Sequence, residues 1–386
     1  MHELPRQRPF GRPLIGQEEI EAVVSVLQGS QLVHGPRAKQ FEDDFASFCK
    51  GGTAVSVSSC TAGLHLAYFD LGLGPGDEVI VPAQTHVATA HAVEFTGASC
   101  VFVEADPQTG NVAPNAVAAA VTERTRAISI VHYLGLPADM PAINAIAAKH
   151  DLTVVEDCAL ALGSWLDGVH CGLLGDLGAF SFYPVKHITT AEGGMILTRN
   201  ADTAARIARK KAFGVDRTHS ERSVPGVYDV TMLGFNYRMN ELAAALGIEQ
   251  IKKADGFLQA RAENTKVLRA ALAEIDEVEL LWTGDARFVS SHYCTAAILS
   301  DAVAPRRFEI VAQLKQAGIG TSVYYPRAVP QMTYYREKYG HPAGAFPQAE
   351  RISDQSIALP VGPHLDGEDM VAIAAAVKSA IRDTAA

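Results

Sequence analysis

The sequence predicts an α/β protein with a large mixed-sheet domain, followed by a smaller C-terminal α+β domain. Three observations predict it. From residue 53 onward, short Val/Ile-rich runs alternate with helical patterns. The runs are apolar on both faces, as strands covered by helices on both sides must be. After residue 175 two strand-like runs, GAFSFY and GGMILTRN, follow each other without a long helix. Parallel neighbours need a long crossover, so this pair makes the sheet mixed.

The elements follow in order. Residues 17–28 carry Ile20, Val23, Val24 and Leu27 on one helical face. A second helix spans 37–49, where Phe41, Phe45 and Phe48 recur at helical spacing, and His34-Gly35-Pro36 breaks the two apart. Strands are predicted at AVSVSS, EVIVPA, CVFVEAD, RAISIVHY and LTVVED, with helices between them. A long helical region covers about 239–275, and the domain boundary is placed in it near Asp255–Gly256. That gives a large domain at 1–255 and a small one at 256–386. The small domain contains SHYCTAAILS, the helix FEIVAQLKQAG, a strand TSVYY and a C-terminal helix DMVAIAAAVKSAIRD.

Composition narrows the function. With 386 residues, 48% of them hydrophobic, the chain can bury a large core without disulfides. A net charge of −10 argues against a general nucleic-acid binder, which needs a basic face. No run is long and apolar enough for a membrane span or a signal-peptide core. The six cysteines form no CxxC pair, which removes zinc-ribbon and thioredoxin readings. They read as reduced thiols in a cytoplasmic protein. The 13 histidines show no HExxH spacing, so no metal is expected.

Three short segments carry chemistry. In FSFYPVKHITTAEGGMILT, Lys186 sits in a turn between two strands, and a lysine in a partly dehydrated cleft becomes a nucleophilic amine. The plainer reading is a solvated lysine. In LTVVEDCA, a strand runs into Glu156 and Asp157 at the carboxyl end, where open α/β sheets bind ligands. A carboxylate there can hold a cationic ring nitrogen; the plainer reading is a loop cap. In SVSSCTAG, a strand gives way to a helix near Thr61, whose free N–H groups form an anion site suited to a phosphate monoester. The plainer reading is an N-cap by Ser59 or Thr61. Each signal is weak alone. Their order on successive strands supplies what a pyridoxal 5'-phosphate (PLP) enzyme needs: a phosphate anchor, a ring-nitrogen partner and an amine.

These segments, with HGPRAKQFEDDFA, GLGPGDEVIVPAQTHVATAHAV, GFNYRMNELAAALGIEQIKK, GIGTSVYYP and FPQAERISDQSIALPVGPHL, resemble the DegT/StrS-like nucleotide-sugar aminotransferases, fold-type-I PLP enzymes. The resemblance covers nearly the whole chain. It implies that Lys186 joins the cofactor aldehyde and shuttles the proton, and that Asp157 keeps the ring nitrogen protonated. It places Cys60, Thr61 and Ser181 at the phosphate and His86 on the ring face. Asn236 would reach the phosphate from a neighbouring subunit, so the active sites would be shared in a homodimer. His187 and Tyr324 are substrate-binding candidates; for His187 a supporting role in the loop competes.

Two positions depart from the family pattern. Leu160 stands where Gln or His usually faces the cofactor's phenolic oxygen, and His86 replaces a commoner Phe, Tyr or Trp. A histidine there can gain charge, so activity would vary near neutral pH. Lys186 also separates this chain from relatives that dehydrate a sugar and carry histidine at that position. The resemblance implies transfer of an amino group from an amino acid, L-glutamate, to an NDP-4-keto-6-deoxyhexose for surface polysaccharide or glycoconjugate synthesis. A 3-keto sugar substrate and a non-catalytic PLP-fold regulator are the alternatives. Arg206, Arg209, Lys210 and Lys211 could steer a nucleotide diphosphate or form a solvated helix face. Loops 214–233 and 326–346 are expected to set sugar selectivity.

Overall fold

The computed structural model describes residues 6–216, 224 and 226–385. In chain order the first strands are β1 (Thr53–Val57), β2 (Glu78–Pro82), β3 (Ser99–Val103), β4 (Thr125–Val131) and β5 (Thr153–Asp157). A two-residue hairpin follows, β6 (Trp165–Leu166) and β7 (Val169–His170), then β8 (Leu177–Ser181) and β9 (Gly194–Thr198). The C-terminal part adds β10 (Val278–Leu280), β11 (Phe288–Val289), β12 (Thr295–Leu299) and β13 (Ser356–Leu359).

Seven strands form one sheet in the order β1-β9-β8-β5-β4-β2-β3. The β2–β3, β2–β4, β4–β5 and β5–β8 pairs are parallel, whereas β9 runs antiparallel to both β8 and β1. The mixed sheet is therefore as predicted, and a single reversed strand lets β8 and β9 pair without a crossover helix between them. The reversal has a consequence for function. It starts β9 at the edge where β1, β5 and β8 end, with Gly194 in register with both Val57 and Ser181.

The helix Pro36–Phe48 covers one face of this edge. Phe41 and Phe45 are fully buried, and Phe45 meets Phe180 at 5.0 Å and Phe182 at 5.7 Å between ring centroids. The aromatic spacing read from the sequence thus packs against β8 and the turn that follows it.

The N-terminal helix forms over Gln17–Leu27, but its apolar face is not covered within the chain. Ile20, Val24 and Leu27 are exposed, while Glu19 is buried. Glu19 accepts hydrogen bonds from Gly16 N (2.7 Å) and Gln250 Nε2 (2.8 Å), and Lys253 Nζ bonds it at 2.8 Å. This polar anchor, not the apolar stripe, sets the helix's orientation.

The predicted long helical region is two helices, Glu241–Lys252 and Ala254–Leu272, meeting at Lys253. The second packs with Arg307–Gln316 and Gly367–Ala385 over the antiparallel sheet β10-β12-β13. The N-terminal segment joins this assembly: Arg8 N donates to the Gly318 carbonyl (2.8 Å), and Arg8 Nε bonds Asp369 at 2.8 Å. The expected strand TSVYY does not form; only Ser322 bridges to Ala358. Its Tyr324 carbonyl is taken instead by side chains just beyond β2 and β4, Gln84 Nε2 (3.1 Å) and the Tyr133 hydroxyl.

Truncating Phe45 to alanine empties a fully buried aromatic site. Chemical denaturation is expected to show a loss of about 3–5 kcal/mol.

Candidate active site

The carboxyl ends of β1, β5 and β8 converge, and the three segments singled out in the sequence meet there. Asp157 closes β5 and is buried. Its Oδ2 accepts from the Thr89 hydroxyl at 2.6 Å and its Oδ1 from Ala159 N at 3.0 Å. No Lys, Arg or His of the described residues pairs with it within 4 Å. Its neighbour Glu156 has a different task. It is fully buried and accepts from Gly172, Leu174 and Gly175 N–H groups at 2.6–2.9 Å, with His132 Nε2 at 2.8 Å. Cys171 lies beside this His132–Glu156 pair. The carboxylate oxygens are already occupied by the loop they hold, so Glu156 is the structural acid and Asp157 the one left for a ligand.

Lys186 follows β8 in a turn closed by its N–H to the Tyr183 carbonyl (2.9 Å). The residue is half-buried, and its amine lies 5.1 Å from the Tyr293 ring centroid. Desolvation pulls its pKa below the ordinary 10.5; Cys60, Asp157 and Cys294 act in the opposite direction. No carboxylate of the described residues hydrogen-bonds this amine.

The phosphate-type turn follows β1. Ser59 caps the helix Cys60–Asp70, its side chain accepting from Ala62 N at 3.1 Å. The plainer reading of Ser59 is thus correct, and it leaves the first N–H groups of the helix for another acceptor. Gly194 makes the cradle: a Cβ there would lie 2.5 Å from Ser59 C and 2.6 Å from Cys60 N. The Cys60 thiol turns to the Ala179 carbonyl (3.4 Å) and to Asp157 Oδ1 (3.9 Å), and burial keeps it protonated. Cys60 can therefore serve a phosphate only through its backbone. Thr61 and Ser181 are half-buried at the same edge.

An anion cradle, a buried acid without a cation and a desolvated amine without an anion form a donor set that fits PLP. Its phosphate would meet the helix N-terminus and Ser181, its ring nitrogen Asp157, and its aldehyde Lys186.

The remaining candidates are placed as follows. His86 caps the helix Val87–Glu94, its Nδ1 accepting from Ala88 N at 3.1 Å. Its ring is edge-on to Tyr325 at 5.9 Å. Desolvation holds its pKa below 6.5 despite the pull of Asp157, so the imidazole is neutral at pH 7. The charge change expected near neutrality moves to more acidic pH. His187 is buried behind Lys186; its Nε2 lies 3.3 Å from the Ser291 carbonyl and its ring 5.6 Å from Tyr293. Both contacts hold the imidazole within the loop that carries Lys186. The Tyr324 hydroxyl bonds the Tyr293 hydroxyl at 2.6 Å, and Phe10 stacks on its ring at 5.9 Å. Leu160 is buried with Tyr293, Cys294 and Ala358, so an apolar cluster occupies its place. Asn236 is exposed, with no side-chain hydrogen bond among the described residues.

The basic residues that could have steered a diphosphate are mostly engaged. Arg206 and Lys210 both bond Asp70 at 2.8 Å, and Lys211 bonds Glu42 at 3.0 Å. Part of the expected selectivity loop, residues 217–223 and 225, lies outside the described residues. Sequence reasoning missed Thr89 and Tyr293. Thr89 sits in a helix remote in sequence from Asp157, and Tyr293 precedes a core strand; no local pattern marks either.

The pattern of the DegT/DnrJ/EryC1/StrS aminotransferase family matches residues 13–378. The spore coat polysaccharide biosynthesis protein SpsC of Bacillus subtilis is 35% identical over 378 residues, 97% of each chain. The aminotransferase TlmJ from Streptoalloteichus hindustanus superposes with a TM-score of 0.89 at 31% identity, covering 98% of this chain and all of that one. Spr1654 from Streptococcus pneumoniae, solved in a PLP form, gives a TM-score of 0.91 at 26% identity over 98% and 99%. The fold and site define a PLP fold-type-I aminotransferase architecture. The chain belongs to the DegT/DnrJ/EryC1/StrS aminotransferase family.

The Lys186 environment makes a direct prediction for the cofactor-free protein. The pH dependence of arylation at Lys186, followed by peptide mapping, should have a midpoint below 10.5. Because Asp157 favours the ammonium, Asp157→Asn should lower that midpoint further; a midpoint at or above 10.5 contradicts the assignment.

Proposed function

We propose that the protein is a PLP-dependent aminotransferase moving an amino group from an amino acid, L-glutamate, to a nucleotide-linked keto sugar. The acceptor we favour is an NDP-4-keto-6-deoxyhexose, made in the cytoplasm for surface polysaccharide or glycoconjugate synthesis. One observation carries the reading: Asp157 and Lys186 face the same strand edge, each without a counter-ion bonded to it among the described residues, in a member of this family. The relationship to SpsC, a spore coat polysaccharide biosynthesis protein, supports the sugar class and the biosynthetic setting.

When bound, PLP supplies an electrophilic aldehyde and a ring that accepts electron density from the substrate carbon. Everything else falls to this chain. The Cys60–Asp70 helix N-terminus, Thr61 and Ser181 would hold the phosphate dianion. Asp157, held by Thr89 and Ala159, would keep a positive charge at the ring nitrogen. The Lys186 amine would be the base and then the acid that moves one proton between neighbouring carbons. Its lowered pKa leaves more of the amine neutral at working pH. The Tyr293 ring covers the amine and limits water, and Tyr324 fixes Tyr293 through the 2.6 Å hydroxyl contact.

We infer a homodimer with shared sites. Asn236 is exposed in the single chain, and Ile20, Leu27, Phe95 and Leu233 are exposed apolar residues that a partner surface would cover.

Incubation with PLP, L-glutamate and candidate keto sugars should yield an amino sugar detectable by mass spectrometry. Lys186→Ala should reduce turnover by at least ~10²–10⁴-fold, the usual worth of a positioned acid–base group. No product with any keto sugar would favour the non-catalytic regulator. Shared sites make a separate prediction. Mixing Lys186→Ala and Asn236→Ala proteins after subunit exchange should restore about a quarter of wild-type activity, because half the dimers then carry one intact site. Activity no higher than that of the parents would contradict the sharing.

A further inference from the structure

A cleft of about 690 Å³ lies away from Lys186, between the loop after β3 and the segment carrying β10 and β11. Four charged residues face it: Asp106, Asp139, Arg269 and Glu279. Among the described residues only Glu279 has an ionic partner, bonding Arg351 at 2.9 Å. Asp106 accepts from Gln108 N, Thr109 N and Thr109 Oγ1 at 2.9–3.0 Å, and Asp139 accepts from Ala142 N at 3.2 Å; no cation bonds either among the described residues. Arg287 feels the charge of Asp139 but is committed to Asp167 at 2.8 Å.

Arg269 stands opposite in character. It is half-buried on the helix Ala254–Leu272 and forms no ion pair among the described residues. Desolvation lowers its pKa, and no acidic group offsets the loss. An unpaired guanidinium and two carboxylates without cations thus share one cleft without bonding each other. A half-buried guanidinium has lost part of its hydration, so an anion entering the cleft would find a ready partner there. Beside the polar Gln108, Thr109 and Asn111, part of the remaining wall is apolar and aromatic. Trp282 is 40% exposed and meets Phe288 edge-on at 5.5 Å. The Trp282 N–H donates to the Gln108 carbonyl at 2.8 Å, tying this wall to the opposite one.

We propose that this cleft is a second binding site for a zwitterion with an apolar face, of the α-amino acid class. The ligand's carboxylate would pair with Arg269, its ammonium with Asp106 or Asp139, and its side chain would lie on Trp282 and Phe288. A small chamber behind the cleft shares Thr109, Arg269 and Trp282 and extends to Tyr133 and Cys294. Tyr133 donates to the Tyr324 carbonyl, so the site adjoins the catalytic aromatic group without being part of it. The inference uses none of the aminotransferase reading.

The protein has two tryptophans, so Trp165→Phe leaves Trp282 as the sole reporter. L-Phenylalanine titrated into that variant should change Trp282 emission saturably. Adding Arg269→Gln should weaken binding at least about tenfold, as loss of a charged hydrogen bond does. N-Acetyl-L-phenylalanine and phenethylamine, each lacking one charge, should bind at least about tenfold more weakly than the amino acid. Circular dichroism confirms that the variants fold. The proposal is overturned by no saturable change, by unaltered affinity in Arg269→Gln, or by an N-acetyl derivative that binds as tightly as the parent. It is likewise overturned if the emission change only tracks the cofactor's absorbance, which would place phenylalanine at Lys186.

Discussion

The molecule is organised around a buried carboxylate that no cation of the described residues bonds. Asp157 is 4% exposed, yet its partners among the described residues are one hydroxyl, one backbone N–H and, at 3.9 Å, the Cys60 thiol. Taking an ionised group out of water costs several kcal/mol unless a counter-charge or enough hydrogen bonds replace the lost hydration. Glu156, one residue earlier, shows the structural solution, with three backbone donors and a histidine. Asp157 lacks that solution, and no carboxylate of the described residues bonds the nearby amine of Lys186. A ligand cationic at one end and electrophilic at the other would complete such a pair, which is what the proposed function asks of it.

The sheet's topology makes the arrangement possible. Parallel strands β5 and β8 end together, which brings Asp157 and Ser181 to one edge. The reversed strand β9 then begins at that edge between β1 and β8. Only a residue without a side chain fits there, because a Cβ at 194 would strike the Ser59–Cys60 backbone. One glycine thus sets how closely the phosphate turn approaches the acid and the amine.

Much of this was legible in the sequence. The alternation of Val/Ile runs with helical spacing showed the α/β sheet, and the close spacing of GAFSFY and GGMILTRN showed its mixed character. Lys186, Asp157 and the Ser59–Thr61 turn could be read because each lies in a short segment with its own chemistry. Other features depend on contacts between distant segments. The strand expected at TSVYY is lost to hydrogen bonds from Gln84 and Tyr133, which no local window contains. His187 reads as a site residue beside Lys186, but the turn aims it into the core toward Ser291. The apolar stripe of the first helix was visible, yet Glu19, buried beneath it, decides which face turns inward. Thr89 and Tyr293 acquire roles only once folding brings them to Asp157 and Lys186.

The central claim is that the Lys186 amine is the covalent attachment point for PLP. Reducing the PLP-loaded protein with borohydride, digesting it and mapping the label by mass spectrometry tests this directly. The account predicts one pyridoxyl group per chain, on Lys186. A label on another residue, or none at all, would contradict it.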